Sequence, residues 1–370
     1  MKKALYIIAT LAVVACSKTE VYETAGNGEL VVVPVASNIT KAAITDGVYP
    51  ESNHLSLFAY HAPGVAANDA SVNTTTDYTK FVEKYLYDTE YYYTGSDVYS
   101  TKIWAGLKSS YYWPITGSLV FAGYSLQAPT TEGERAESPK IGTKVEYTLA
   151  SDKLEIEGYT QSLDPESTFD FLYFGRTDRS YNNRRTGAAI PLTFKHALSW
   201  ITVKVMGGTG ALVDGRKWAV KNVKLSGVKT IGDFTYTGTA AEPKVVWDNL
   251  LSAADTDFVI YDSEFTDKNN VKAGTKELTS SMEIIENVTD GNLVIPQAAT
   301  TLLVTIQYNS PAGALITEIV DIDLADYTTT GWEAGKRYVY ELSFSPQEIT
   351  VAPRVETWPD PISANLPTNI

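Results

Sequence analysis

Cysteine is nearly absent from this chain of 370 residues: the single one, Cys16, lies close to the N-terminus. A lone cysteine excludes an internal disulfide and any metal site that needs several thiolate ligands. Histidine is also scarce, with three residues at His54, His61 and His196. The folded state must therefore be held together by packing and hydrogen bonds, without covalent cross-links.

Basic residues are outnumbered by acidic ones. The chain has 30 Lys and Arg against 44 Asp and Glu, which gives a formal net charge of −14. Such a charge disfavours nucleic acid and anionic lipid headgroups, so neither is an expected partner. Hydrophobic residues make up 44% of the chain, and 24 tyrosines favour β structure, in which aromatic side chains pack well. A length of 370 residues indicates two domains.

Motifs that would indicate catalysis or metal binding are missing. The glycine-rich segment at residues 206–210 has no following helix with the lysine and hydroxyl residue of a phosphate-binding loop, and a hairpin turn explains it better. No nucleophile-elbow motif is present. The aspartates at residues 255–257 and 321–326 lack the glycine and terminal glutamate of an EF-hand loop. We therefore expect a protein that is not an enzyme and uses no metal or cofactor.

The N-terminus has the pattern of a bacterial lipoprotein signal. Two lysines precede a mostly apolar run at residues 4–15, which is too short to span a bilayer as a helix. The run ends in the sequence VVAC, which is similar to a lipobox with Cys16 as the lipidated first residue of the mature chain. Residues 1–15 are predicted to be a signal peptide and residues 16–28 a lipidated tether. The alternative is a signal peptide followed by an incidental cysteine.

The first predicted strand, at residues 30–35, has the sequence LVVVPV, and its continuous apolar character indicates burial on both faces. Pro34 cannot donate a backbone hydrogen bond, which places the strand at a sheet edge or near its own end. Lys41 follows six residues later and is the only basic residue between Lys18 and Lys80. It therefore stands alone in a long stretch that is accessible to proteases.

The stretch at residues 191–205 divides the chain. Its apolar positions recur every second residue, as in a strand with one buried face, but change phase between Trp200 and Ile201, which predicts a bulge or a tight bend there. A polar, glycine-containing segment just upstream is typical of a linker between two folded units. The predicted domains are residues 29–188 and residues 190–370.

Alternating apolar residues elsewhere predict many short strands separated by turns, the pattern of a β-sandwich. One segment predicts a helix instead. Asp77 is positioned to N-cap residues 78–86, in which large apolar side chains recur at helical spacing.

Three parts of the sequence resemble the fimbrillin family, the type V pilins of gut and oral anaerobes. They are FKHAL at residues 194–198, YWP followed by FAGY within residues 112–124, and WEAGKRY at residues 332–338. The resemblance implies an all-β fold of two tandem transthyretin-like β-sandwich domains that follow a lipoprotein signal peptide.

The resemblance also implies how such a subunit assembles. In fimbrillins a trypsin-like protease cuts behind the first strand, and the exposed groove accepts a donor strand from another subunit, a form of β-augmentation. The bond between Lys41 and Ala42 is in the expected place for that cut. The family is typically cut after arginine, however, and the first arginine here is Arg135. An ordinary solvated lysine is the alternative interpretation of Lys41.

The C-terminal region can supply the donor strand in this family. In residues 349–358 the side chains of Ile349, Val351 and Val355 share a face, and they are candidates for filling the pockets of a neighbouring subunit. A plain closing strand of the second domain is the alternative.

The resemblance thus predicts a surface-exposed lipoprotein of the outer membrane and the fimbrium that mediates cell adhesion. Its expected partners are other pilin subunits, the outer membrane through the Cys16 lipid before processing, and an adhesion ligand that is a glycan or a protein. The second hypothesis is a surface glycan-binding lipoprotein. It rests on an aromatic cluster that either packs in a core or interface or forms a platform for sugar rings. The members of the cluster are Tyr85, Tyr87, Tyr91, Tyr92, Tyr93, Tyr99 and Trp104.

Overall fold

The structure is a computed structural model. It describes residues 30, 32–35, 49, 53–65, 78–96, 102–109, 111–114, 116–127, 138–163, 167–177, 190–208, 217–238, 243–252, 257–267, 269–288, 292–310, 312–328, 330–345 and 349–358.

Within these residues the chain forms 22 β-strands and short turns of 3-10 helix. The strands of the first half are β1 Val32–Val35, β2 His54–Ala62, β3 Glu83–Ser96, β4 Lys102–Gly106, β5 Ser118–Leu126, β6 Lys144–Thr148, β7 Lys153–Thr160 and β8 Leu172–Phe174. Those of the second half are β9 Ile190–Thr193, β10 Lys195–His196, β11 Ser199–Gly207, β12 Trp218–Ser226, β13 Ile231–Thr237, β14 Lys244–Leu251, β15 Phe258–Asp262, β16 Lys276–Glu277, β17 Glu283–Ile284, β18 Leu293–Val294, β19 Thr301–Asn309, β20 Leu315–Asp323, β21 Lys336–Phe344 and β22 Ile349–Thr357. The 3-10 turns are Tyr78–Lys80, Leu149–Ser151 and Leu324–Tyr327.

The predicted all-β class is confirmed. Over the residues described, no helix has the length and apolar character needed to cross a membrane.

An eight-stranded sheet forms the centre of the N-terminal half, in the order β10-β8-β5-β2-β3-β4-β1-β9. Every residue of β2 and β5 is buried, because both faces of this sheet are covered. One face carries Leu57 and Phe121 into a core that β1 shares. The opposite face carries Phe58 and Tyr124 into a second core.

Three more sheets complete these β-sandwiches. A four-stranded sheet, in the order β14-β13-β7-β6, contributes Ile156 and Phe234 to the core that contains Phe58. Two five-stranded sheets enclose the C-terminal core. One has the order β17-β11-β21-β22, with β18 also paired to β11, and the other has the order β15-β12-β19-β20, with β16 also paired to β12. Val203 and Val223 meet in that core.

Strands from the two predicted domains share two of the four sheets. β9 pairs in parallel with β1, and β13 pairs with β7. The domain limits at residues 29–188 and 190–370 stay a prediction, and any such boundary has to accommodate sheets that combine both parts of the chain.

The predicted bulge or tight bend between Trp200 and Ile201 is wrong. β11 pairs with β21 without interruption from Trp200 to Gly207, and most of its residues are buried. Trp200 packs into the core that contains Phe58, whereas Ile201 packs into the C-terminal core. The change of phase therefore marks a strand whose two faces enter two different cores.

The predicted helix at residues 78–86 is also wrong. A 3-10 turn, Tyr78–Lys80, ends three residues before the start of β3. The pairing of β3 with β2 shifts register between Ala59 and Tyr60, which lie opposite Leu86 and Lys84, so β3 has one extra residue there, Tyr85. This bulge breaks the strict alternation of a strand, and the remaining spacing of apolar residues resembles that of a helix.

Candidate strand-exchange site

Strand β1 lies inside the eight-stranded sheet, between β4 and β9. It runs parallel to β9, with Val32 opposite Ile190, and antiparallel to β4, with Val32 opposite Trp104. Pro34 predicted either that β1 lies at a sheet edge or that the proline lies near the end of the strand. The first is wrong, and the second is right, since Pro34 is the third of the four residues of β1. Without β1 the sheet would contain a slot walled by two strand edges with unpaired backbone groups.

The pairing around Pro34 explains how a proline fits between two strands. In the described register β1 meets β4 at Val32, two residues before Pro34. The missing N–H of Pro34 therefore interrupts no ladder on the β4 side, while Leu192 of β9 lies opposite it on the other side. A proline in this place is compatible with the described pairing of β1 to both neighbouring strands.

The side chains around β1 are large and buried. Val32 is 0% exposed. Nearby, Tyr49 packs with ring centroids 5.2 Å from Trp104 and 4.9 Å from Phe194. Burial raises the pKa of the Tyr49 hydroxyl well above its ordinary value, so it stays protonated and can donate a hydrogen bond. The slot thus offers apolar pockets to alternate side chains of the strand that occupies it.

Three predicted site residues, Cys16, Lys41 and Ala42, lie outside the described residues. Lipidation at Cys16 and cleavage between Lys41 and Ala42 stay predictions. In the sequence, Lys41 comes six residues after Val35, the last residue of β1.

The donor candidates lie in β22, an edge strand of the C-terminal sandwich that pairs antiparallel with β21 along its whole length. Ile349 and Val351 pack against the C-terminal core, whereas Val355 is 57% exposed. Two of the three candidates therefore already pack, partly buried, against this subunit's own core. β22 and β1 belong to different sheets, so the structure does not bring the donor candidates and the slot together.

Sequence reasoning missed the residue that fixes the end of β22. Trp358 is 1% exposed, and its ring stacks on that of His196 with centroids 3.7 Å apart. His196 places its Nδ1 3.1 Å from the Asp170 carboxylate. Two features of the sequence could have indicated this contact: Trp358 comes directly after a predicted strand, and Asp170 comes directly before the apolar run at residues 171–174.

The aromatic cluster does not form a single exposed platform. Tyr91 and Trp104 are buried in the core around β1, with Tyr85 and Tyr93 packed against it. Their burial agrees with core packing, the first of the two interpretations. Tyr87 behaves differently: its side chain is 42% exposed. Tyr99 lies outside the described residues.

No group of three or more His, Cys, Asp or Glu side chains in the described ranges is placed to hold a metal ion. The three histidines each bind a carboxylate through Nδ1: His54 with Glu90, His61 with Glu83 and His196 with Asp170. The first two pairs link β2 and β3, and the third links β10 to the segment before β8, so all three histidines have structural contacts.

The sequence was compared with protein families. The profile described as fimbrillin-like matches residues 40–358. The chain belongs to the fimbrillin-like family. This fimbrillin-like protein is thus a member of a family of fimbrial, cell-surface proteins, as the sequence resemblance predicted. A search of curated proteins found no match.

Three solved structures are similar to this chain to different degrees. A fimbrial protein from Bacteroides vulgatus is 17% identical, with 82% of this chain and 93% of that chain covered and a TM-score of 0.53. A proposed cell adhesion protein from Bacteroides uniformis is 11% identical, with 90% and 99% covered and a TM-score of 0.45. The tip fimbrial protein Mfa3 from Porphyromonas gingivalis is 8% identical, with 90% and 99% covered and a TM-score of 0.36. The first of these supports a shared fold.

Proposed function

We propose that this fimbrillin-like protein is a type V pilus subunit that assembles by proteolytic removal of β1 and insertion of a donor strand from another subunit. The observation that carries the proposal is the position of β1 between β4 and β9. A strand that leaves this position exposes two sheet edges at once. A donor strand that enters regains main-chain hydrogen bonds on both sides, and its alternate side chains fill the vacated pockets.

The shortness of β1 supports its replacement. The strand has four residues, and after a cut at Lys41 non-covalent contacts alone would hold it in the sheet. The buried aliphatic side chains of Leu30 and Val32 contribute about 3–6 kcal/mol together. A longer donor strand with more alternating apolar residues would bind the same slot more tightly.

The edge position of β22 suits it as a donor. Within the described sheet β22 has one hydrogen-bonded neighbour, β21. Transfer of β22 into the slot of another subunit would therefore exchange one ladder for two. Ile349 and Val351, which now pack against the C-terminal core, would fill alternate pockets of the acceptor.

The sequence order links assembly to anchoring. Cys16 and β1 both precede Lys41, so a single cut behind Lys41 removes the predicted lipid and the first strand together. The precursor is held in the outer membrane by its lipid, and the cut subunit passes into the fimbrium. A copy that escapes the cut stays anchored at the cell surface.

A cleavage experiment tests this proposal. The purified protein and a Lys41→Ala variant are treated with a trypsin-like protease, and polymerisation is followed by size-exclusion chromatography with light scattering. Lys80→Ala serves as the matched control, since Lys80 is the next basic residue in the sequence. We expect the wild type and the Lys80→Ala variant to polymerise, and the Lys41→Ala variant to stay monomeric.

A peptide experiment tests the donor. A synthetic peptide of residues 349–358 should bind the cleaved protein and cap its polymerisation. The same peptide with serine at Ile349, Val351 and Val355 should do neither. Cleaved protein that stays monomeric and binds neither peptide would contradict strand exchange in this chain.

A further inference from the structure

A cleft of about 420 Å³ opens beside the bulge of β3, between that strand and the segment at residues 138–145. Tyr87, Asp88 and Glu90 line it from β3, and Tyr124 lines it from β5. We call it the Tyr87 cleft. Its volume lies in the range typical of small-molecule sites.

The bulge is what directs these side chains into the cleft. The register between β2 and β3 shifts after Leu57, and Asp88 has a left-handed φ of 49°. A non-glycine residue in this conformation is uncommon, and such residues are frequent at ligand sites. The bulge also leaves Tyr87 42% exposed, while its ring makes an edge-to-face contact with that of Phe58, with centroids 5.2 Å apart.

Asp88 is held by one oxygen and offers the other. Its Oδ1 accepts hydrogen bonds from the hydroxyls of Ser56, at 2.7 Å, and Tyr124, at 2.5 Å. Its Oδ2 receives no hydrogen bond from the residues that the structure describes. Asp88 is therefore a fixed acceptor with one oxygen available to a ligand.

Glu90, two residues further along β3, repeats this arrangement. Its Oε1 is 2.5 Å from Nδ1 of His54 and accepts from the backbone N–H and the hydroxyl of Ser138, at 2.9 and 2.6 Å. Like Oδ2 of Asp88, Oε2 of Glu90 has no hydrogen-bond partner among the described residues. The Tyr87 cleft thus contains two oriented carboxylates, each with one engaged oxygen.

The rest of the lining selects the class of ligand. Lys108, Lys140 and Lys144 line the same cleft, and the Lys144 amine also pairs with Glu146 and Glu157 at 3.3 and 3.0 Å. A lone metal cation is disfavoured by these amines, and a polyanion is disfavoured by the two carboxylates. A ligand with many hydroxyl groups can donate to the carboxylates and accept from the amines. The Lys84 amine lies over the Tyr87 ring, 4.2 Å from its centroid, so the C–H face of such a ligand would displace this amine or lie on the opposite face of the ring.

We propose that the Tyr87 cleft is a binding site for a neutral saccharide. The site is formed by residues of β3, β5 and the segment at residues 138–145, and it involves neither β1 nor β22. It is therefore independent of strand exchange and gives the protein a direct contact with a glycan.

A printed array of neutral oligosaccharides identifies the ligand, and calorimetric titration of the strongest hit measures its affinity for purified wild type and variants. Asp88→Asn is the sharpest variant, because asparagine tolerates a positive φ and keeps the acceptor for Ser56 and Tyr124 while an amide replaces Oδ2. We expect binding to weaken at least about tenfold, the loss typical of a hydrogen bond to a charged group. Tyr87→Ala should weaken it by a similar factor.

Tyr112→Ala is the matched control, since Tyr112 is 48% exposed and lies outside the cleft lining. Its affinity should equal that of the wild type. Three results would overturn the proposal: no binding of the wild type to the array, equal affinity of the Asp88→Asn variant and the wild type, or an equal loss in the Tyr112→Ala variant.

Discussion

The indole ring of Trp358 stacks on the imidazole of His196, with ring centroids 3.7 Å apart and the two planes inclined by 19°. Trp358 directly follows β22, whereas His196 ends β10 in the eight-stranded sheet. Trp200 also contacts this tryptophan, with its ring centroid 5.6 Å from that of Trp358. The stack therefore attaches β22 to the eight-stranded sheet of the N-terminal half. If β22 is released to act as a donor strand, the buried indole of Trp358 must leave its site.

Replacement of this indole should destabilise the protein strongly. Trp358→Ala removes a side chain that is 1% exposed and opens a cavity in a core, which typically costs about 3–5 kcal/mol. Val355→Ala on the same strand is the control, and it should change the free energy of unfolding by less than about 0.5 kcal/mol, because Val355 is 57% exposed. Urea denaturation followed by circular dichroism measures both. Equal small effects would show that the stack does not fasten β22.

Substitution of a buried residue of β1 should weaken the packing of this strand in the slot between β4 and β9. Val32→Ala removes two methyl groups at a position that is 0% exposed, with an expected loss of about 2 kcal/mol. Val82→Ala is the control, because Val82 is 72% exposed. In the protein cut at Lys41, the Val32→Ala variant should also release β1 and polymerise faster than the wild type. Unchanged stability and polymerisation would argue against a packed, exchangeable β1.

The stability that Glu90 contributes should depend on pH. Burial alone raises its pKa, but the hydrogen bonds from His54 and Ser138 together outweigh burial and lower the pKa below its ordinary value of 4.5. A carboxyl group with a lowered pKa stabilises the folded state above its unfolded pKa, and this contribution is lost as pH falls through the folded value. The wild type should therefore exceed the Glu90→Gln variant in free energy of unfolding at pH 7, and the difference should shrink below about pH 4.5.

Urea denaturation at several values between pH 7 and pH 3 measures this difference. Glu83→Gln is the matched control, since Glu83 pairs with His61 at 2.7 Å across the same two strands but is 58% exposed, against 15% for Glu90. Solvent screens the exposed pair, so that variant should differ little from the wild type. A Glu90→Gln difference that is the same at pH 7 and pH 3 would contradict the assignment.

A glycine at the start of β5 should resist substitution. Gly117 has a φ of +81°, and a Cβ placed there would lie 2.2 Å from the carbonyl oxygen of Ala62. Gly117→Ala should therefore cost about 2 kcal/mol or more. Gly64 is the control in the neighbouring turn, because a Cβ there meets nothing within 4 Å. Thermal unfolding of both alanine variants should show a lower Tm for the first alone, and equal Tm values would contradict the clash.

Local patterns in the sequence predicted the β class well. Period-2 alternation marks a strand wherever one face is buried, so segments such as Tyr338 to Phe344 were identified directly. Alternation fails where both faces are buried or the register slips. Trp200 and Ile201 appear to change phase only because each side of β11 enters a different core. The helical spacing at residues 78–86 arises from a turn followed by a bulged strand.

The pairing of strands that are far apart in the chain could not be predicted from local sequence patterns. The parallel ladder of Val32 with Ile190 joins residues 158 positions apart, and no local signal specifies such a partner. The sequence therefore predicted that β1 is buried, but it offered a sheet edge as one of two explanations for Pro34 and could not place the strand between β4 and β9. The contact of Trp358 with His196 depends on the same tertiary arrangement, and so does the Tyr87 cleft.

The most direct test of the account is the N-terminus of the protein in fimbriae taken from the native cell surface, determined by mass spectrometry. Loss of β1 before assembly predicts a polymerised chain that begins at Ala42, without the lipid. A polymerised chain that still begins with a lipidated Cys16 would contradict strand exchange behind Lys41.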